Sequence, residues 1–378
     1  MIVKTPKLDT AELRALDLIW QQHAHLMPTL NQPARWQGTL RRQALAQAVR
    51  SSNSIEGFEA NLSQVNEVLL GGALGEVEPT TEQALQGYRQ AMTFVLQIAR
   101  DQPLAIDLNL LKSLHFMLQG YDLQMLPGRF RGGPIFVRDG NTNRVVHTGA
   151  DWEKVPELMH ELCHSLGHYG EQVGIVSGAM AHLNLALIHP FKDGNGRTAR
   201  VLQSLVLAQS EPLSPLFLSI EEFLAANTKD YYSVMAEVGG GVWNPKVNAK
   251  PWIRFVLNAH YRQAEQVRVN AAQLNASWNE IAQLVENLGL NERVVSPLVH
   301  VETGNTLTNQ IYRSLVHEAG DSISTLTASR DLAELVESKL LIAVGDTRAR
   351  TYVSGPALNQ ITHLLAGKFA VRHLSKLF

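Results

Sequence analysis

The run His189-Pro190-Phe191-Lys192-Asp193-Gly194-Asn195-Gly196-Arg197-Thr198-Ala199-Arg200 has the densest unusual composition in the chain. Pro190 disfavours α geometry at the residue before it, so a helix arriving from the N-terminal side ends at His189 and presents an imidazole at its C-terminal mouth. Gly194 and Gly196 flank Asn195 and permit positive φ and close approach of a ligand to backbone N–H groups. The next apolar positions, Val201, Leu202, Leu205 and Val206, have helical spacing. A helix, an amide-lined turn and a second helix pointing its N-terminus at the turn make a cradle for an anion. Arg197 and Arg200 are three residues apart on one helix face, where two guanidinium groups can fork onto the oxygens of a polyphosphate. Asp193, alone among carboxylates in the loop, suits a Mg²⁺ that keeps most of its ligands as water and phosphate oxygen. His189 is then placed to act as general base towards an attacking hydroxyl. The chemistry these residues share is nucleophilic substitution at a nucleotide phosphate.

Just upstream, Val173 to Phe191 is the most apolar stretch of the chain, but Ser177, His182, Asn184 and His189 interrupt it. No basic flank follows the topogenic pattern, so it reads as a helix buried all round in a helical core rather than a membrane span. Helical periodicity dominates the first hundred residues: Leu13, Leu16, Leu18 and Ile19; Leu45, Val49 and Ile55; Val65, Leu69 and Leu70; and Ala84 to Ala99 are each spaced for one-sided burial. Between Leu126 and Gly149 the texture changes. Ile135-Phe136-Val137 and Val145-Val146 flank Asp139-Gly140-Asn141 and predict a β-hairpin. Helices resume near Asp151, and one runs from Pro251 to about Val269. Thr306 to Val316 reads as a helix, Asp321 to Glu337 as two more, and Leu340–Val344 with Arg350–Val353 as two β-runs around Gly345-Asp346. Helix, turn, helix and β-wing together suggest a winged helix module, with Thr327 to Val336 resembling a recognition helix.

The 378 residues suggest two or three domains. A formal charge of −2 shows no bulk positive excess for nucleic acid or anionic membrane, so any phosphate site is local. A single cysteine, Cys163, allows neither an intrachain disulfide nor a Cys-based zinc site. The start, Met1 to Thr10, carries no apolar signal core, which makes the cytoplasm the default location.

The quoted run matches the signature His-x-Phe-x-(Asp/Glu)-Gly-Asn-Gly-Arg-x-x-Arg of the Fic family at every fixed position. The resemblance extends over about Arg42 to Leu257. It implies transfer of AMP from ATP to a Ser, Thr or Tyr hydroxyl of a target protein. It also implies roles: His189 as base, Phe191 packed inward to hold the loop, Asp193 on Mg²⁺, Gly194 to Gly196 as the anion nest, Asn195 on the α-phosphate side, and Arg197 and Arg200 on the β- and γ-phosphates. The kinase-like Doc branch of the family carries Lys where Gly196 stands, so Gly196 favours the AMP-transferring arrangement.

Upstream, Ser52-x-x-x-Glu56-Gly57 resembles the family's inhibitory motif (Ser/Thr)-x-x-x-Glu-(Gly/Asn). Ser52 and Glu56 share a helix face, so Glu56 can reach an Arg of the nucleotide site, and Arg200 is the expected partner. In some relatives the same Glu supports removal of AMP, so de-AMPylation is a second expected activity. The hairpin sits where the family has a flap that holds the target's modifiable segment. Tyr231 and Tyr232 are candidate adenine contacts, although Gly239 stands where relatives often place an Asn. The expected architecture is mainly α. Residues 1–104 form an N-terminal helical region with the inhibitory helix, 105–270 a Fic-type helical core with a small β-hairpin flap, and 271–378 a C-terminal winged helix region. Expected partners are ATP, a protein target and, through the C-terminal module, a second copy in a homodimer or DNA; no membrane is expected.

Two rivals remain. His160-Glu161-Leu162-Cys163-His164 is a literal His-Glu-x-x-His, which on a helix would present two zinc ligands with Glu161 as base of a peptidase. Gly170 stands where the longer metzincin pattern needs its third His. Alternatively the chain is a DNA-binding transcriptional regulator on a Fic fold. Asn305 to Gly355 holds five Lys plus Arg against six Asp plus Glu, which is near neutrality rather than a basic footprint.

Overall fold

The computed structural model describes residues 1–31, 35–71, 77–99, 105–138, 140, 142–166, 174–210, 213–346, 350–369, 374 and 377–378. Four helices open the chain: α1 (Thr10–Asn31), α2 (Gln37–Ser54), α3 (Leu62–Leu69) and α4 (Pro79–Ile98). Then come α5 (Leu108–Gln119), the strands β1 (Phe136–Arg138) and β2 (Val145–Thr148), and α6 (Val155–Leu166). The signature loop joins α7 (Gly174–Ile188) to α8 (Asn195–Ser210). Beyond it lie α9 (Pro215–Leu218), α10 (Glu221–Ala226), α11 (Thr228–Gly239) and the long α12 (Lys250–Asn287). The chain continues with α13 (Val295–Glu302), α14 (Asn309–Glu318), α15 (Thr325–Glu337), β3 (Leu341–Val344), β4 (Thr351–Ser354) and α16 (Pro356–Leu365). The fold is mainly helical, and its β-structure among the described residues is two antiparallel hairpins, β1–β2 and β3–β4, with isolated bridges beside them.

Two hydrophobic clusters meet at α7. Ile175, Met180, Leu183 and Leu187 face one cluster, with Leu16 and Ile19 of α1, Trp252 and Val256 of α12, and Leu298, Leu315 and Leu332 of the C-terminal helices. Ala181, Leu185 and Ile188 face the other, with Val49 of α2, Leu85 and Met92 of α4, Leu111, Leu114 and Leu118 of α5, and Val201, Leu202 and Leu205 of α8. A helix packed on both sides has no wet face, which is why its sequence is apolar all round. Two of its polar interruptions, Asn184 and His182, are satisfied from neighbouring elements. Asn184 accepts from Val3 N at 2.8 Å and donates to Val3 O at 3.0 Å, stitching the N-terminal segment to the core. His182 bonds Gln203 Oε1 at 2.8 Å and the Tyr231 hydroxyl at 3.0 Å. Burial pushes its imidazole down to about 3.

Differences from the sequence reading have local causes. The helix expected to stop near Val269 runs on to Asn287, because Ala271, Leu274, Ser277, Ile281 and Val285 continue the buried stripe without a Gly or Pro between. The position between 270 and 271 therefore lies inside α12. The helix expected from Thr306 starts at Asn309, where Thr308 Oγ1 accepts from Ile311 N at 3.1 Å. Of the two helices expected between Asp321 and Glu337 there is one, α15, because Ser324 Oγ caps it by accepting from Thr327 N at 3.1 Å. In the β1–β2 hairpin Phe136 pairs with Thr148 and Val137 with His147, and the register slips before Arg138 pairs with Val145. Residues 139 and 141 of its expected turn lie outside the described residues. Among the described residues no helix is long and apolar enough to cross a membrane.

Gly87 lets α4 lie directly on α5: a methyl group there would come within 2.6 Å of Met117 O and 3.1 Å of Leu118 O. Both obstacles are backbone and cannot swing aside. Gly87→Ala is expected to lower stability by about 1–3 kcal/mol, read as a drop in the thermal unfolding midpoint; an unchanged midpoint would show that the two helices can part freely.

Candidate active site

The signature loop is built on the C-terminus of α7. His189 adopts φ of +55°, the left-handed conformation that ends a helix, and its N–H still closes onto Leu185 O at 2.9 Å. The carbonyls left open at that end are capped from outside. His147 Nε2 donates to Leu187 O at 2.8 Å, and Ala150 N donates to Ile188 O at 3.2 Å. Arg131 supplies the rest. Its Nε donates to His189 O at 2.7 Å, its backbone N–H to Pro190 O at 2.9 Å and its Nη1 to Gly133 O at 2.6 Å, while Nη2 reaches Ala150 O. Arg131 thus ties the hairpin to the mouth of α7, and His189 is fixed by its backbone.

His189 Nδ1 donates to Ala186 O at 3.0 Å. A carbonyl can only accept, so Nε2 carries the lone pair. Burial pushes the imidazole down to about 4, with the cationic Arg131 adding to the effect. His189 is therefore neutral at pH 7, the form a general base requires.

The middle of the loop is locked from α5. Phe191 is fully buried and stacks on His115 with ring centroids 3.7 Å apart and planes 3° from parallel. His115 Nδ1 accepts from Gly128 N at 2.8 Å, so its Nε2 carries the proton and donates to Asp193 O at 2.9 Å. One helical turn on, Gln119 donates to Asp193 Oδ2 at 3.1 Å and accepts from Arg197 Nη2 at 2.5 Å. The Asn195 amide closes the loop on itself, accepting from Phe191 N and donating to Phe191 O, both at 2.9 Å. One of its two amide N–H groups and its oxygen are thus engaged in loop geometry. Gly194 has φ of +72°. Among the described residues the first-turn amides of Asn195, Gly196 and Arg197 donate to no backbone carbonyl. Unpaired donors at the head of a 16-residue helix form an anion seat.

Arg197 and Arg200 leave that seat in different directions. Arg197 turns to α5, between the rings of Phe58 at 5.0 Å and Tyr121 at 5.9 Å. Arg200 turns to the end of α2: Nε donates to Ser52 Oγ at 2.7 Å, and Nη2 to Ser52 O at 2.9 Å and to Glu56 Oε1 at 2.7 Å. Burial works against the Arg200 charge, but the Glu56 carboxylate outweighs it and raises its pKa. Glu56 itself lies just past α2, which ends at Ser54, in a turn closed by Gly57 at φ of +85°. Its carboxylate stands directly over Gly196, where any Cβ would collide with it. Arg197 Nε and Arg200 Nη1 are buried with no hydrogen-bond partner among the described residues.

Tyr231 is buried, its hydroxyl turned to His182, while Tyr232 is half exposed and donates to Ile55 O at 3.3 Å beside Glu56. His160, Glu161 and His164 lie on α6, with Glu161 paired to the N-terminal ammonium at 2.8 Å. Among the described residues no group of three His, Cys, Asp or Glu side chains is arranged to hold a metal. Sequence reasoning missed the supports His115, Gln119, His147 and Tyr121, and gave Arg131 no role. Only the i,i+4 spacing of His115 and Gln119 could have flagged two of them as one face.

Residues 105–207 match the Fic/DOC family. The chain is 25% identical over 230 residues to a protein adenylyltransferase Fic of Nematostella vectensis, which covers 58% of this chain and 48% of that one. It is 33% identical over 128 residues to protein adenylyltransferase fic-1 of Caenorhabditis briggsae, covering 34% of this chain and 22% of the relative. The chain thus spans about half the length, or less, of these relatives. Among solved structures, a Fic family protein from Desulfovibrio desulfuricans G20 superposes with a TM-score of 0.59 at 20% identity, over 93% of this chain and 98% of that one. A Fic-1 segment from C. elegans gives 0.55 at 21% identity over 68% and 72%. The architecture is that of the Fic fold.

Two outcomes follow from the geometry. In a proton NMR titration the His189 ring is expected to stay neutral down to about pH 5, with its midpoint near 4; a midpoint near 6.5 would mean that the ring is solvated. Arg131→Met is expected to speed amide hydrogen exchange across residues 131–150 while sparing α12, whereas uniform or unchanged exchange would show that Arg131 is no cap.

Proposed function

We propose that this chain is a protein adenylyltransferase, transferring AMP from ATP to a Ser, Thr or Tyr hydroxyl of a target protein and restrained by its own Glu56. The observation that carries the reading is the Glu56 carboxylate, held at 2.7 Å by Arg200 over Gly196, on the unpaired amides that open α8 and within electrostatic reach of His189. An anion already rests where a phosphate chain would bind, beside a base. The named relatives, all protein adenylyltransferases, support the same reaction.

In the reaction, His189 Nε2 takes the proton of the target hydroxyl as its oxygen bonds to the α-phosphorus. The bond from α-phosphorus to the bridging oxygen breaks, and pyrophosphate leaves. The open amides of Asn195, Gly196 and Arg197 and the unpaired Nε of Arg197 and Nη1 of Arg200 receive phosphate oxygens, placing phosphorus and base together. The exposed Asp193 carboxylate accepts one neighbouring donor on each oxygen and keeps lone pairs for a hydrated Mg²⁺, which fits an ion ligated mainly by water and phosphate. Such an ion would neutralise developing charge on the phosphates. The β1–β2 hairpin leaves β1 as an open edge, since β2 is bridged on its other side to Val242 and Trp243; an extended target segment fits there by strand addition.

Glu56 and Arg200 form an inhibitory pair in this reading, because the guanidinium meant for the γ-phosphate is occupied. With Glu56 reordered towards an attacking water, the same site supports removal of AMP. We read α13 to α15 with β3 and β4 as a winged helix. Its near-neutral charge favours contact with protein, including a second copy, over duplex DNA. The His-Glu-x-x-His helix carries no peptidase in this reading.

Incubation with α-labelled ATP, Mg²⁺ and cell lysate tests the proposal. Glu56→Gly is expected to raise incorporated label about tenfold or more, and an equal or lower rate would remove the restraint. His189→Ala in that background is expected to lose about 10²–10⁴ in rate while calorimetry still detects ATP binding. Retained transfer would refute the base.

A further inference from the structure

The Arg200 guanidinium donates to Ser52 and Glu56, at the end of α2, and the buried Tyr231 hydroxyl lies beside it. If nucleotide displaces Glu56, as the adenylyltransferase reading requires, the cation keeps its buried position, 2% exposed, while one counter-charge is exchanged for another. A buried cation without a partner is strongly unfavourable. A fixed anion would hold it in place between the two.

Glu221 opens α10 and is as buried as Arg200, at 2% exposure. Its Oε1 accepts from the hydroxyl of Tyr88, a fully buried residue of α4, at 2.9 Å and from Ser204 Oγ at 3.4 Å. Ser204 lies one turn beyond Arg200 on the same face of α8, so Glu221 abuts the face from which Arg200 projects. Burial pushes the Glu221 carboxyl up, and the nearby Arg200 charge works against that, favouring the carboxylate. Glu221 Oε2 has no hydrogen-bond partner among the described residues, and neither has Arg200 Nη1. An orphan acceptor on a buried anion and an orphan donor on a neighbouring buried cation are complementary, and such orphans are rare in folded interiors.

We propose that Glu221 is a positioning residue for Arg200: a permanent second counter-anion that keeps the guanidinium in place for the nucleotide once Glu56 has left, with Tyr88 and Ser204 fixing its carboxylate. Glu56 is the partner that leaves and Glu221 the one that stays. Held from behind, Arg200 keeps its charge and direction through the exchange of one anion for another.

The test uses the full chain carrying Glu56→Gly, with ATP affinity from calorimetry and kcat and KM from AMP incorporation. Glu221→Gln preserves size and an acceptor for Tyr88 but removes the charge. It is expected to weaken ATP binding and raise KM for ATP by about tenfold, with kcat within about twofold. Tyr88→Phe leaves the carboxylate but frees it to rotate, and is expected to weaken ATP binding about threefold; it carries the test alone if the Glu221 variant does not fold. Unchanged ATP affinity in a folded variant, or equal loss in kcat and kcat/KM, overturns the proposal and leaves the adenylyltransferase reading standing. Failure of the Glu56→Gly chain itself to bind ATP overturns that reading and the proposal with it.

Discussion

A guanidinium taken out of water demands an anion, and the interior around Arg200 is organised by that demand. Arg200 is 2% exposed, and it draws the end of α2, with Ser52 and Glu56, against the first turns of α8. Breaking such a pair by removing one partner ordinarily costs about 3–5 kcal/mol, because the survivor stays buried and unpaired. The position of Glu56 is therefore set by the same charge that suits the site to phosphate. In the proposed reaction, attraction for substrate and attraction for the obstacle are one property of one residue.

The other end of the site obeys a different constraint. A helix packed on both faces, as α7 is, cannot hydrate its last carbonyls, and each needs a donor. His147, Ala150 and Arg131 supply them, and all three belong to the hairpin or its flanks. The β1–β2 hairpin and the residue carrying the imidazole are thus parts of one hydrogen-bonded unit. His115, stacked on Phe191 and bonded to Asp193 O, plays the equivalent part for the loop.

The run from His189 to Arg200 was legible because several of its residues depart from what a helix or a plain turn would choose: proline after histidine, glycines about an asparagine, arginines three apart. Ser52 and Glu56 were legible only beside them, since a serine and a glutamate near a helix end are common. The β-runs and the all-round apolar helix showed in their periods of two and of no period. What stayed hidden was support. Gln119, His115 and Arg131 look like ordinary helix or loop residues, and only the folded chain brings them to the signature from 58 to 78 positions away. The long α12 was shortened in the reading because its wet face, rich in Gln, Asn and Arg, hides a buried stripe that never stops.

Gly196 links two properties that are usually independent. Lacking a side chain, it leaves the head of α8 open, the seat the proposal gives to phosphate, and it also leaves the volume that the Glu56 carboxylate fills. Any substitution there, however small, evicts the carboxylate as surely as it narrows the seat. On the proposed reading, restraint and nucleotide seat therefore meet at one position, and a side chain there changes both in the same step.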